Sequence, residues 1–382
     1  MNITLHDNDS WLKFAPLSLT RPVGNLRIGI FTNDERWRYL LAGADIGFGT
    51  EEYLSGKFPD AGGTVMNACV ILNREVADAI LQLGDNSELY SSKEQTWIAR
   101  NGDGSNRVPF NDEVLVISER WELYQKNGEV IKSDFEIITD KKVSEQLSAS
   151  NTVIGAPELI FLEEGAKVEA SILNTTNGPI YIGKDAEIME GSIVRGPLAM
   201  NEHSALKLGT KIYGPTTLGP HCKVGGEVNN CIFQAYSNKG HDGFLGNSLI
   251  GEWCNLGADT NSSNLKNNYG NVKTFNFESM KLEQTDVQFM GLVMGDHSKC
   301  GINTMFNTAT VVGVSCNVFG AEFPPKYVPS FQWGANGDEY DFAKALESAS
   351  NMMIRRGIQL TIPEIDILQF VSDKSNGFSG NK

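Results

Sequence analysis

The chain has 382 residues, enough for two or three separate cores, and its net charge of −15 argues against nucleic acid or an anionic membrane as partner. No basic segment leads into a long apolar run, so neither a secretory leader nor a membrane span is expected. The six cysteines (Cys69, Cys222, Cys231, Cys254, Cys300, Cys316) lack CxxC pairing and metal-ligand spacing, which predicts reduced core thiols, no metal centre and a cytoplasmic setting.

Residues 1–148 read as an α/β domain. Arg27–Thr32 and Thr64–Leu72 are rich in β-branched residues between polar flanks and are expected to form buried strands. Asp34–Leu41 and Glu75–Leu83 are expected to be helices, the second with Val76, Ile80 and Leu83 on one face. Strand and helix in alternation suggest an α/β layer, short for a complete nucleotide-binding domain.

Residues 149–322 follow a different rhythm. Ile182, Ile188, Val194, Met200, Leu206, Ile212, Leu218 and Val224 fall six apart without a miss. Neither a helix nor a flat strand has that period, whereas a coil of short parallel strands does, with one inward side chain per beat. The beat resumes at Phe244, Ile250 and Leu256, then at Met294, Cys300, Phe306, Val312 and Val318. Glycine follows many beats (Gly183, Gly219, Gly225, Gly257), where a tight corner calls for a small residue. A hexapeptide parallel β-helix is predicted. Three stretches break the beat: 171–178, 233–243 and 263–292, the last with a possible hairpin from Val272–Phe277. Inserted loops at corners are where binding is expected.

Residues 323–372 are expected to form a C-terminal helical extension after an aromatic link (SFQWG). Phe342, Leu346, Ala349 and Met353 have helical spacing, with Asp338 as N-cap and Arg355-Arg356 at the end that favours positive charge. Residues 373–382 are expected to be a disordered tail.

Within 180–275 the basic residues Lys184, Arg195, Lys207, Lys211, Lys223, Lys239, Lys266 and Lys273 are matched by an equal number of acids, so the coil is neutral and the excess charge lies elsewhere. A small phosphate-bearing ligand is compatible with that balance. Among five histidines, His203, His221 and His297 share the fourth position of their hexapeptides and are expected to face solvent in structural roles. His241 differs. It lies between Gly240 and Gly243 beside Lys239, in a stretch that breaks the beat, and a titratable imidazole there suits proton abstraction near an anionic substrate. HExxH, GxSxG and P-loop patterns are missing, so zinc and a serine triad find no support.

Residues 239–265 (KGHDGFLGNSLIGEWCNLGADTNSSNL), with EVNNCI at 227–232, resemble the acetyltransferase half of the bifunctional GlmU-type enzymes and archaeal sugar-1-phosphate nucleotidylyltransferase/acetyltransferases. The resemblance covers roughly 150–320. It implies a left-handed β-helix, a homotrimer with active sites between subunits, and acetyl-CoA as co-substrate. It also implies His241 as general base toward a sugar amine, Asn255 and Asn264 as substrate or base-orienting groups, and Gly257-Ala258 beside the thioester. Lys239 and Phe244 are further substrate-binding candidates. Phe244 stands where that family has tyrosine, Asn229-Asn230 where it has paired lysines, and Asp259 where it has glycine.

Near the N-terminus, Phe14-Ala15-Pro16-Leu17-Ser18-Leu19-Thr20-Arg21-Pro22 resembles the tail of the sugar nucleotidylyltransferase signature, which implies a shortened nucleotidyltransferase-like domain with Arg21 near phosphate. The preceding glycine-rich half is replaced by HDNDSWLK, and Val23 takes the place of a lysine. The leading expectation is acetyl-CoA-dependent N-acetylation of an amino-sugar phosphate. The alternatives are sugar-1-phosphate nucleotidylyl transfer, with Mg²⁺, and a non-catalytic trimer that binds a sugar nucleotide.

Overall fold

The computed structural model describes residues 1–334 and 337–375, so part of the expected tail, 376–382, lies outside the described residues. Contacts divide the chain into two compact units, Met1–Leu26 with Phe31–Glu122, and Arg27–Ile30 with Leu123–Lys382. Among the described residues no helix is long and apolar enough to cross a membrane.

The first unit is α/β. Strand β1 (Asn2–His6) runs parallel to β2 (Asp45–Gly49) and β3 (Thr64–Asn67). A short β4 (Val70–Ile71) follows, and then β5 (Ser87–Ser91), β6 (Thr96–Asn101) and β7 (Asn106–Phe110) extend the sheet in the order β2-β1-β3-β6-β5-β7. Helix α1 (Asn33–Leu40) starts with a capping box, in which Thr32 accepts from the Glu35 amide and Glu35 accepts from the Thr32 amide. Helix α2 (Arg74–Leu81) is capped by Asn73 and buries Val76 and Ile80 as expected, while Leu83 falls beyond its end.

Two strand expectations need correction. Thr64–Leu72 is broken at Ala68-Cys69 into β3 and β4. Arg27–Thr32 forms no strand, because side chains take up the amides that a ladder would have used. Arg27 N donates to Gln234 Oε1 (2.9 Å), Gly29 N to Asn127 Oδ1 (2.8 Å) and Ile30 N to Asp134 Oδ2 (2.8 Å).

The second unit is a parallel β-helix. Each coil contributes a short strand to three faces in turn. Face A holds nine strands from Ile160–Leu162 to Tyr327–Val328. Face B begins at Lys167–Val168, and face C runs from Thr152–Ile154 to Met305–Phe306. All eight residues of the unbroken beat are inward and buried, and each such side chain stabilises the coil by roughly 1.5–3 kcal/mol. Glycine after the beat is explained by close approach between coils. A Cβ on Gly219 would run into the Gln234 carbonyl, and one on Gly257 would lie 2.5 Å from the Gly301 carbonyl carbon.

The six cysteines are free and buried. Burial pushes the Cys222 and Cys231 thiols up to about 12, so they remain protonated core groups. Face A is covered by α3 (Arg120–Thr139), whose Asn127 also accepts from Thr217 Oγ1 at 3.1 Å and whose Phe135 packs edge-on against Phe161. Within 263–292 the expected hairpin forms, Lys273–Asn276 pairing antiparallel with Lys281–Gln284, and the Phe275 ring lies 3.5 Å over Tyr327. The aromatic stretch after Pro329 supplies the last rung, where Gln332–Trp333 pairs beside Asn317. Helix α4 (Phe342–Ile354) follows, capped by Asp341 rather than Asp338, and then α5 (Ile362–Asp373), which reaches into the expected tail.

Candidate functional site

Two corners of the coil are built from different chemistry. Between faces A and B, one residue per coil takes a left-handed backbone: Asp185, His203, His221, Tyr236, Trp253, His297, Ser315 and Phe331, with φ between 53° and 60°. That conformation costs a side-chain-bearing residue about 1–2 kcal/mol. Ring stacking offsets part of it, at roughly 0.5–1.5 kcal/mol per aromatic pair. His203 stacks on His221 at 4.7 Å, His221 on Tyr236 at 4.9 Å, and Tyr236 on Trp253 at 4.1 Å, with His297 a further 6.5 Å on. His203 keeps the expected solvent exposure, whereas His221 and His297 are half-buried members of this ladder.

Between faces B and C the corner is glycine-rich, with Gly209, Gly225-Gly226, Gly240, Gly243 and Gly257 on successive coils. His241 stands here, exposed. Its corner (Gly240–Gly243) is as long as the one at Lys207–Thr210, so the expected insertion at 233–243 is absent. The beat continues unbroken through Phe233, Lys239 and Leu245, all fully buried. It was hidden because a lysine occupies an inward position. Phe244 is therefore off the beat and half-buried, with Leu245 pointing inward in its place.

Lys239, expected to face a substrate anion, turns into the coil with 1% of its surface exposed. Its ammonium donates to the carbonyls of Gly225 and His241, both at 3.0 Å. Burial is the main reason that its pKa falls to about 8. The lysine thus ties the His241 main chain to the coil below. On the coil above, the Asp259 amide donates to the Asp242 carbonyl at 3.1 Å, which sets Ala258 beside the His241 corner.

The structure accordingly brings His241, Gly257 and Ala258 to one corner. Asn255 sits half-buried on the face-B strand leading into it and accepts from Asn238 Nδ2 at 3.3 Å. Face C starts with Phe244, whose amide donates to Asn261 Oδ1 at 2.8 Å. The Phe244 ring and the Asn264 amide flank Gly246, where a Cβ would lie 2.7 Å and 2.6 Å from them. Asn264 Nδ2 donates to Asn247 Oδ1 at 2.7 Å. Asn247, Asn261 and Gly226 escaped the sequence reading; the signal was their place one coil from a candidate residue. Asn230, in the amide orientation that satisfies its neighbours, donates to the Tyr124 carbonyl at 2.8 Å and is a structural residue.

In the first unit, Arg21 is buried and its guanidinium reaches Asn25 Oδ1 at 3.4 Å. At the end of β1, Asp7 accepts from the Val23 amide (2.9 Å) and the Thr50 hydroxyl (2.6 Å). Burial pushes its carboxyl up to about 7. Among the described residues no three His, Cys, Asp or Glu side chains gather as a metal site.

Residues 3–143 match the family model described as sugar nucleotidyl transferase. Among curated proteins the chain is similar to the bifunctional protein GlmU of Methanocaldococcus jannaschii, 31% identical over 118 residues that cover 31% of this chain and 28% of that protein. It is also similar to bifunctional protein GlmU of Cyanothece sp. (strain PCC 7425), 21% identical over 213 residues covering 50% and 43%. The chain thus spans less than half the length of these relatives. Among solved structures, the polySia-specific acetyltransferase NeuO is 13% identical, covering 50% of this chain and 84% of that one with a TM-score of 0.28. Arabidopsis UDP-N-acetylglucosamine acyltransferase is also 13% identical, covering 56% and 80% with a TM-score of 0.23. The chain is thus similar over part of its length to bifunctional GlmU proteins, and its α/β unit is followed by a parallel β-helix of hexapeptide repeats.

Proposed function

We propose that the chain is a transferase that moves an acetyl group from acetyl-CoA to the amine of an amino-sugar phosphate at the glycine-rich corner, with His241 as general base. The observation that carries this reading is the exposed imidazole held one coil from the Gly257-Ala258 backbone. In the proposed step, His241 removes a proton as the sugar nitrogen attacks the thioester carbon. The C–S bond then breaks and the thiolate takes that proton from the imidazolium. Gly257 already donates its amide to the Cys300 carbonyl at 3.1 Å, so the Ala258 amide is the donor assigned to the developing oxyanion. Asn255 and Asn264 are assigned to the substrate, and Phe244 supplies an apolar wall where a hydroxyl would otherwise stand.

A homotrimer is part of this proposal. Ile154, Ile172, Ile193 and Tyr213 form exposed apolar positions on face C, the kind of surface a second copy covers. Light scattering at a mass of three chains is expected, and a single-chain mass would remove the intersubunit part. Incubation with acetyl-CoA and glucosamine-1-phosphate should release free thiol. Losing a general base should slow that release by roughly a hundredfold or more. Turnover unchanged in His241→Ala would sink the assignment.

A second reading, sugar-1-phosphate nucleotidylyl transfer by the first unit, is favoured by the family match over residues 3–143. Its test is pyrophosphate release from each of the four nucleoside triphosphates with a sugar-1-phosphate and added Mg²⁺. Silence with all four would dispose of it.

A further inference from the structure

The ring corner carries two imidazoles in direct contact, and the acyl-transfer reading uses neither of them. His203 and His221 occupy the same place on successive coils, each in the left-handed region, with φ of 54° and 58°. Each amide hangs on the preceding coil: His203 N donates to the Lys184 carbonyl and His221 N to the Glu202 carbonyl, both at 2.9 Å. The two rings lie 4.7 Å apart and 22° from parallel, and His221 stacks in turn on Tyr236 at 4.9 Å. Stacking offsets the backbone strain only while the rings stay face to face.

This pair differs from the Tyr236–Trp253 stack further along, because each imidazole can gain a charge near neutral pH. The surroundings of the two rings are unequal. His203 is exposed, and the Asp185 carboxylate on the preceding coil stands 3.8 Å from its Nδ1, so a first proton there meets water and an anion. His221 is half-buried between the His203 and Tyr236 rings. Burial, and next the charge of His203, hold the His221 imidazole below the usual histidine range. Arg356 and Lys223 act in the same direction, and Glu202 opposes them. Two imidazolium rings at stacking distance repel each other, so the pair accepts its second proton most readily by separating.

We propose that the stacked pair His203–His221 is an acid-sensitive latch, which holds the ring corner of its two coils closed at neutral pH and lets it open once both imidazoles are protonated. An unfolded chain binds the His221 proton near pH 6.5, and the folded chain binds it only at lower pH. Acid therefore shifts the balance against the closed corner as pH falls below 6.5. Beyond the pair, Tyr236 and Trp253 cannot gain a positive charge, so the rest of their stack holds and the opening stays local. His241 stands at the other edge of face B, and the latch does not depend on the acyl-transfer reading.

The test is a titration of the full chain from about pH 8 to about pH 5, following histidine Cε1–H resonances by NMR and amide exchange by mass spectrometry. The His203 and His221 resonances are expected to titrate in two coupled steps, with His221 the later. Over the second step, amide protection at His203 and His221, corrected for the intrinsic pH dependence of exchange, should fall roughly tenfold or more, while Gly240–Gly243 keeps its protection. His221→Phe retains a ring to stack and takes no proton, so its ring corner should stay protected throughout. Independent titration of both rings at one ordinary midpoint, or wild-type protection that holds across the range, would overturn the proposal. So would simultaneous loss at both corners, which is general acid unfolding, or the same loss in wild type and in His221→Phe.

Discussion

The ring corner and the glycine corner perform the same turn on the same coils, yet one is filled and the other open. At the first, rings at His221, Tyr236 and Trp253 stack from coil to coil and occupy the space a ligand would need. At the second, glycines let neighbouring backbones approach closely, leaving amides and one exposed imidazole at the surface. A β-helix can thus fill one edge of a face with stacked rings and leave the other open, with only the turn residue changed.

Substitutions that exchange or erase this contrast test it, beginning with the largest effect. Trp253→Ala removes the most buried ring of the ladder and should cost about 3–5 kcal/mol, read as a lower urea midpoint. His241→Ala should leave that midpoint unchanged while slowing thiol release from acetyl-CoA about a hundredfold. Gly257→Ala drives a Cβ into the Gly301 backbone and should cost roughly 1–3 kcal/mol. Gly240→Ala, whose Cβ meets nothing within 4 Å, should be neutral or stabilise by about 0.4–1 kcal/mol.

Lys239 gives the most particular effect of these, because it is read as pH dependence. Its folded pKa of about 8 lies below the unfolded value of 10.5. The folded chain releases this proton first, so stability should rise as pH climbs from about 8 toward 10.5, by up to roughly 3 kcal/mol. Lys239→Met should abolish that rise in urea titrations. It should also loosen the His241 corner, lowering kcat more than it raises KM, and a variant with wild-type kinetics would show that the two carbonyl bonds hold nothing catalytic.

Much of this molecule could be read from residue spacing. The run from Ile182 to Val224 marked the inward side chains because a six-residue period is specific to such coils, and α2 and α4 carried helical spacing. Of the candidate residues, His241, Gly257 and Ala258 do share a corner. Lys239 was read outward, since a cation beside a histidine suggests a ligand, and its polar character concealed the beat it keeps.

What the sequence alone determined was whatever depends on local period: the coil, its helices and the corner glycines. The destinations of polar groups were decided only in three dimensions. The Arg27–Ile30 amides found side chains from Gln234, Asn127 and Asp134 in place of a neighbouring strand. Lys239 found two carbonyls inside the coil, and the histidines of the fourth position found one another as stacked rings. A hydrogen bond or a stack is satisfied by whichever partner the folded chain brings near, and residues far apart in sequence set that choice.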